Sequence, residues 1–469
     1  MNEQIIRGPI LSPRPNGTVD FWQDGALRSG PDGRIVYAGT WAKLEAQGGT
    51  KACPVVQSEG LILPPFLDCH THVPQHPIRG RFAEGVPDDC PEGRLLASLA
   101  RNVFPQEAKM ARTRFAAQAA AGFAQDTLSQ GVVGGASYMT VHARAAHLAL
   151  AELGAWWSVG LVLMNQNCPS FLRTQEEALA RDVEVLASEY RRRLIVTDRF
   201  AVSTDTSLRR RGVRLARRHG LRMQTHLNEQ RAEKAFVEQT LYPGYADYTD
   251  VYARDGLLDC EAILAHCLHM RPDEWDRVAG AGASIAHCPT SNTLLGSGTM
   301  ALESVRERNI PYALCTDVGA SPTTSMLAEM AQFLRVHAGR ALGATPQEAL
   351  FRATLAPAQI LGLERELGSF GIGMPLSFVE ARCDLSALPG KTADAVIAEC
   401  LLEMPAARDP VLDDAYALLA AEGLPHGEDL RAVTQSVEET AVRLEAKVQR
   451  VVLRGETVWE RGAASGGAG

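Results

Sequence analysis

The chain has 469 residues, more than one ordinary core spans, so a barrel of roughly 250 residues plus a second module fits. Its 46% hydrophobic and 22% charged composition is that of a soluble globular protein, and a net charge of −8 argues against general nucleic-acid binding. There is no apolar run of about eighteen residues and no signal-peptide core in MNEQIIRGPILSP, so neither a membrane span nor export is expected.

Residues 1–65 read as short strands and turns (QIIRGPILSP, GTVDFWQDGALRSG, GRIVYAGT), a small β module. Residues 66–362 alternate strand and helix signals: GVVGGASYM, WWSVGLVLM, RLIVTDRFAV, GLRMQTHL, AILAHCL, ASIAHCP and PYALCTD lie between amphipathic stretches such as EEALARDVEVLASEYRR. That alternation predicts repeated βα units, an α/β protein built on a distorted (β/α)8 barrel. The basic run SLRRRGVRLARRHG keeps an apolar stripe at helical spacing and reads as a solvated barrel helix rather than an anion site. Residues 363–469 are less regular. RVVLRGETVWERG reads as a returning strand pair that completes a small β-sandwich formed from both chain ends, after a helical insertion over 385–448 that includes SVEETAVRLEAKVQR. The tail GAASGGAG reads as disordered. Ten cysteines, none in a C-x-x-C pair and several in apolar runs, suggest reduced thiols in a cytoplasmic protein.

Four metal-ligand candidates follow apolar, strand-like runs: His70 and His72 in DCHTH, His226 in QTHLN, and Asp317 in CTDVG. A lone histidine is usually a core or loop residue. Here alternation along a strand turns both imidazoles of His-x-His to one face, and strand ends of a barrel converge on one mouth. Imidazole and carboxylate suit zinc, with iron as the alternative ion, and a catalytic zinc keeps one position open for water. Asp317 can also accept a proton from that water. Glu229, three residues beyond His226, suits a proton shuttle, and His266, closing another strand, can hydrogen-bond the nucleophilic water. No Lys lies between Lys109 and Lys234, so a carboxylated bridging Lys from a middle strand is excluded and one ion is favoured over two. The H-x-E with P-C-x-x-C signature, a different zinc-site pattern, is absent.

From about residue 60 to 372 the text resembles the amidohydrolase superfamily and, within it, the guanine deaminase family. The segments that carry the resemblance include DCHTHVPQ, FPQEAKM, DRFAVS, QTHLNE, LYPGYADYTDVYARDGLL, AHCLHM, GASIAHCPTSN and TDVGASPTTSML. The resemblance implies hydrolytic deamination of guanine to xanthine and ammonia, with Gln75, Arg199, Phe200 and His266 contacting the substrate, in a homodimer. An Arg fork matches the O6/N7 edge of guanine, a Gln amide offers both donors and an acceptor, and Phe can wall the ring face. The sequence departs from the family where a Trp is expected before FPQEA. Ser98 aligns there, which implies a more open pocket wall. The insertion after GSFGIG is a second departure. These departures keep a pterin, 8-oxoguanine or a triazine open as the heterocycle. A cyclic-amide hydrolase and a non-catalytic barrel scaffold are the remaining alternatives.

Overall fold

The computed structural model describes residues 3–463 except 52, 88, 89, 91, 339–342, 406–408 and 423–427, and most of the Gly/Ala tail lies outside the described residues. Two eight-stranded sheets organise it. The first takes its strands from the two ends of the chain: β1 (Ile5–Pro13), β2 (Val19–Ser29), β3 (Ile35–Thr40), β4 (Val55–Gln57) and β5 (Leu61–Leu63), then β14 (Phe378–Ala381), β15 (Val448–Leu453) and β16 (Glu456–Glu460). Strand β1 forks. Its start pairs with β4 in parallel, and after a bulge between Gly8 and Ile10 it pairs with β5. β14 joins antiparallel to β5 with Val379 opposite Leu63, so the returning C-terminal strands complete the small β-sandwich domain. Ile6, Ile10, Leu27, Ile62, Phe378 and Val452 form its own apolar cluster.

The second sheet is a parallel barrel: β6 (Phe66–His72), β7 (Val132–Tyr138), β8 (Trp156–Leu163), β9 (Leu194–Asp198), β10 (Met223–Leu227), β11 (Ile263–His266), β12 (Ser284–His287) and β13 (Tyr312–Leu314), hydrogen-bonded in chain order. Every residue of β6 to β11 is buried, as expected of a parallel sheet covered on both faces. The first and last strands meet through the segment after β13. The Asp317 amide donates to the His70 carbonyl at 2.9 Å and the His72 amide to the Val318 carbonyl at 3.0 Å. The barrel strands thus lie inside the sequence runs read as strands, each a few residues shorter.

The helix over SLRRRGVRLARRHG runs Thr206–His219, capped by the Asp205 carboxylate and ended by left-handed Gly220. It is not wholly solvated. Arg209 is fully buried, its Nε 2.6 Å from Asp198 and its Nη1 2.6 Å from Asp255. Arg209 falls on the stripe with Gly212, Val213 and Ala216, so the i, i+3, i+4, i+7 pattern itself carries it inward. The insertion contributes two longer helices, Pro410–Glu422 and Glu428–Glu445. Among the described residues no disulfide forms and no helix is long and apolar enough to cross a membrane.

Candidate active site

Strand ends bring the sequence candidates together. In β6 the register against β7 shifts between Asp68 and Thr71, a bulge at the point where His70 must be aimed. His70, His72, His226 and Asp317 place one ligand atom each within 4.8 Å of one another, and all four residues are buried. Asp317 Oδ1 lies 3.2 Å from His70 Nε2 and 3.1 Å from His72 Nε2. Ligands about 2.0–2.1 Å from a tetrahedral ion stand roughly 3.3 Å apart, so the spacing suits a shared cation. His226 Nδ1 meets the Arg199 carbonyl at 2.7 Å, which leaves Nε2 for an ion. Burial pushes His72 down to about 3 and lowers His70 and His226 as well, so the imidazoles are neutral with lone pairs available. Burial alone would raise the Asp317 carboxyl, but the His70 and His72 imidazoles beside it hold it well below the usual carboxylate range. His70 Nε2 is a buried polar atom with no hydrogen-bond partner. This donor set fits a divalent metal ion.

Around it stand residues that the sequence did not single out. Asp68 accepts from the Thr316 hydroxyl at 2.5 Å and the His70 amide at 3.1 Å, tying β6 to the Asp317 loop. The short helix Pro289–Leu294 supplies Ser291, whose hydroxyl donates to Asp317 Oδ2 at 2.6 Å, and Asn292, whose Oδ1 meets His266 Nδ1 at 2.8 Å. Both lie in the CPTSN segment, where side-chain roles have no periodic signature. His266 (φ 71°) and Asp317 (φ 53°) both adopt left-handed backbone. For non-glycine residues this costs on the order of 1–3 kcal/mol each and clusters at functional sites.

Glu229 is 2% exposed, with Oε2 3.5 Å from His266 Nε2 and Oε1 accepting from the Ser297 hydroxyl at 3.3 Å. Burial, aided by the nearby Asp317 charge, raises its carboxyl to about 8. Its backbone amide and that of Gln230 donate to Glu233 Oε2 at 3.0 and 3.1 Å. Glu233 Oε1 in turn accepts from Tyr248 at 2.9 Å.

A cavity opens over the cluster, lined by His72, Gln75, Arg199, Phe200, His226, Glu229 and Asp317, with Phe82, Leu95, Leu99 and Leu295 as apolar wall. His70 and His266 are not among the lining residues; His266 lies next to Glu229. Ser98 is fully buried and does not line the cavity, so the wall expected to be open there is built by Leu95, Leu99 and Phe82. Gln75 sits in the turn Val73–Ile78 after β6 and is met by Gly319, whose φ is 136°. A Cβ at Gly319 would fall 2.4 Å from Gln75 Cβ, so only glycine lets the Asp317 loop pass there. Arg199 and Phe200 follow β9. Their loop is braced by tyrosines of the LYPGYADYTDVYARDGLL stretch. The Ala201 amide donates to the Tyr252 hydroxyl at 3.0 Å, and the Tyr242 hydroxyl donates to the Thr204 carbonyl at 2.8 Å. Tyr252 donates to the His226 carbonyl at 2.9 Å.

The amidohydrolase family profile matches residues 61–381, which include His70, His72, His226 and Asp317. The chain belongs to the amidohydrolase family. Within it the similarity lies with guanine deaminases. The chain is 30% identical over 387 residues to guanine deaminase of Escherichia coli (strain K12), covering 81% of this chain and 82% of that protein. It is also 30% identical over 391 residues to the Rattus norvegicus guanine deaminase, covering 79% and 84%. The solved structure of the E. coli guanine deaminase superposes with a TM-score of 0.76 at 25% identity, covering 98% of this chain and 100% of that one.

Proposed function

We propose that the protein deaminates guanine hydrolytically, giving xanthine and ammonia. The observation that carries this is one cavity where Arg199, Gln75 and Phe200 face the His/Asp cluster and Glu229, in a chain similar to guanine deaminases over four-fifths of its length.

His70, His72, His226 and Asp317 would hold one divalent ion, zinc by the chemistry of the donors, with iron as the alternative. Bound there, the ion acidifies a coordinated water toward neutrality. Asp317, whose Oδ2 also accepts from the Ser291 hydroxyl, would take a proton from the attacking water. Glu229, held off the usual carboxylate range, moves the proton on to the departing amino group; a carboxyl near 8 can both take and give a proton at neutral pH. Asn292 Oδ1 accepts from His266 Nδ1–H, so the His266 Nε2 lone pair is free to accept from the nucleophilic water. The same atom would touch the substrate as the reaction proceeds. Arg199 donates to the O6/N7 edge of guanine, Gln75 meets its polar rim, Phe200 packs on the ring, and C2 is presented to the water. Adenine, with a donor in place of O6, is rejected by Arg199.

The test is ammonia release from guanine, 8-oxoguanine, a pterin and cytosine by metal-analysed protein. Guanine should have the highest kcat/KM with about one ion per chain. A pterin preferred by more than tenfold would replace the substrate, and two tight ions per chain would overturn the mononuclear scheme.

A further inference from the structure

Glu107 ends the four-residue helix Phe104–Glu107 in the FPQEAKM segment, far in sequence from both strand-end loops that carry the substrate-facing residues. It is 2% exposed. Its Oε1 accepts from Gln75 Nε2 at 3.0 Å and from Arg199 Nη2 at 3.3 Å, joining the loop after β6 to the loop after β9. Two consequences follow from elementary chemistry. One N–H of the Gln75 amino group is taken by Glu107, so Gln75 has its second N–H and its acceptor Oε1 left for a ligand. The Arg199 guanidinium is 4% exposed, and the Glu107 carboxylate 3.3 Å away offsets its charge inside the barrel mouth. Arg199 Nε remains a buried donor without a partner, available to a carbonyl or ring nitrogen.

We propose that Glu107 is the specificity-determining counter-charge of the pocket. It aligns Gln75 and Arg199 into one acceptor–donor edge and keeps that edge electrically neutral, so that a neutral heterocycle is taken and an anionic one is refused. This rests on the proposed reading of Arg199 and Gln75 as the substrate's polar edge. It also bears on product release. Exchanging a ring C–NH2 for a ring carbonyl makes the product's N–H groups more acidic, and a product anion finds no unbalanced guanidinium at that edge to hold it. Glu107 touches no reacting atom and acts through its two neighbours.

The test compares the metal-loaded parent with Glu107→Gln, which keeps size and removes charge. Calorimetric binding of hypoxanthine, a neutral purine, and of urate, an anion at neutral pH, reads the pocket without turnover. The affinity ratio should move at least tenfold toward urate in the variant. An unchanged ratio overturns the proposal, even if guanine turnover has fallen. If Glu107→Gln fails to fold, the double variant with Arg199→Gln removes both charges and should recover the fold; a double variant equally unfolded also overturns it. Ammonia release from guanine by the parent is measured alongside. Its absence would fail the substrate reading, whereas a parent that turns over guanine with an unmoved ratio in the variant fails only the role of Glu107.

Discussion

At the level of single residues the site works by withholding water from charges. Glu229 is the clearest instance. Glu229→Gln preserves shape and the bond from Ser297 but can neither take up nor release a proton near neutral pH. It should keep its metal and lose at least about a hundredfold in kcat; loss of the ion instead would make Glu229 a ligand or a support. The raised carboxyl also has a stability signature. Its ordinary value is 4.5 and its native value about 8, so the folded state holds this proton more tightly than the unfolded chain. The contribution is complete below pH 4.5 and is lost as pH rises toward about 8, at roughly 1.4 kcal/mol per pH unit. In metal-free protein, urea midpoints of the parent should therefore fall more steeply across that window than those of Glu229→Gln. Parallel curves would show that Glu229 ionises normally. Arg199→Ala should cost on the order of 1.5–3 kcal/mol of substrate binding, at least tenfold in kcat/KM with the metal retained. An equal fall for a substrate lacking the O6 acceptor would deny Arg199 its role.

At the level of elements, legibility followed periodicity. His70, His72, His226, His266 and Asp317 could be read because each closes or follows a short apolar run and barrel strand ends share one mouth. Gln75, Arg199 and Phe200 needed the family resemblance, since a turn and a loop have no period to interpret. Ser291, Asn292, Ser297 and Glu107 were illegible for a related reason. Their partners lie on other strands, and nothing local distinguishes a hydroxyl that meets Asp317 from one that meets water. Arg209 is different, because its signal was present. A charge on the buried stripe of an otherwise basic helix was folded into a reading of the whole run as solvated. Its guanidinium joins Asp198, the residue before Arg199, to Asp255, and lies 5.3 Å from the centre of the Tyr252 ring. Arg209→Ala leaves Asp198 buried without its cation, while Asp255 keeps Arg210 at 2.8 Å, and should destabilise by about 3–5 kcal/mol in urea unfolding, with the Arg199 loop loosened as well. A loss under about 1 kcal/mol would mean that water fills the gap and the triad is dispensable.

At the level of the whole molecule, the chain ends and the insertion fasten the barrel from outside. The insertion bears on the site through a short relay of contacts. The Tyr416 hydroxyl donates to Gln332 Oε1 at 3.1 Å, and Gln332 Nε2 donates to the Thr293 hydroxyl at 3.0 Å. Thr293 belongs to the helix whose Ser291 and Asn292 hold Asp317 and His266. Around Tyr416, the side chains of Ala415, Leu419, Val433 and Val437 pack against Leu294 and Val336, so the two inserted helices and the barrel share one apolar cluster. A segment packed this way should not melt by itself. Tyr416→Ala removes a buried ring and should cost about 3–5 kcal/mol, while Tyr416→Phe gives up one hydrogen bond, about 1 kcal/mol. Both losses should appear in a single cooperative transition followed by circular dichroism and by Trp fluorescence, because all six tryptophans lie outside the insertion. The Ala variant should also bind its metal more weakly, since the helix that carries Ser291 loses its outer support. Two separate transitions, or a Tyr416→Ala variant as stable and as tightly metallated as the parent, would show that the insertion is a free-standing appendage to the barrel.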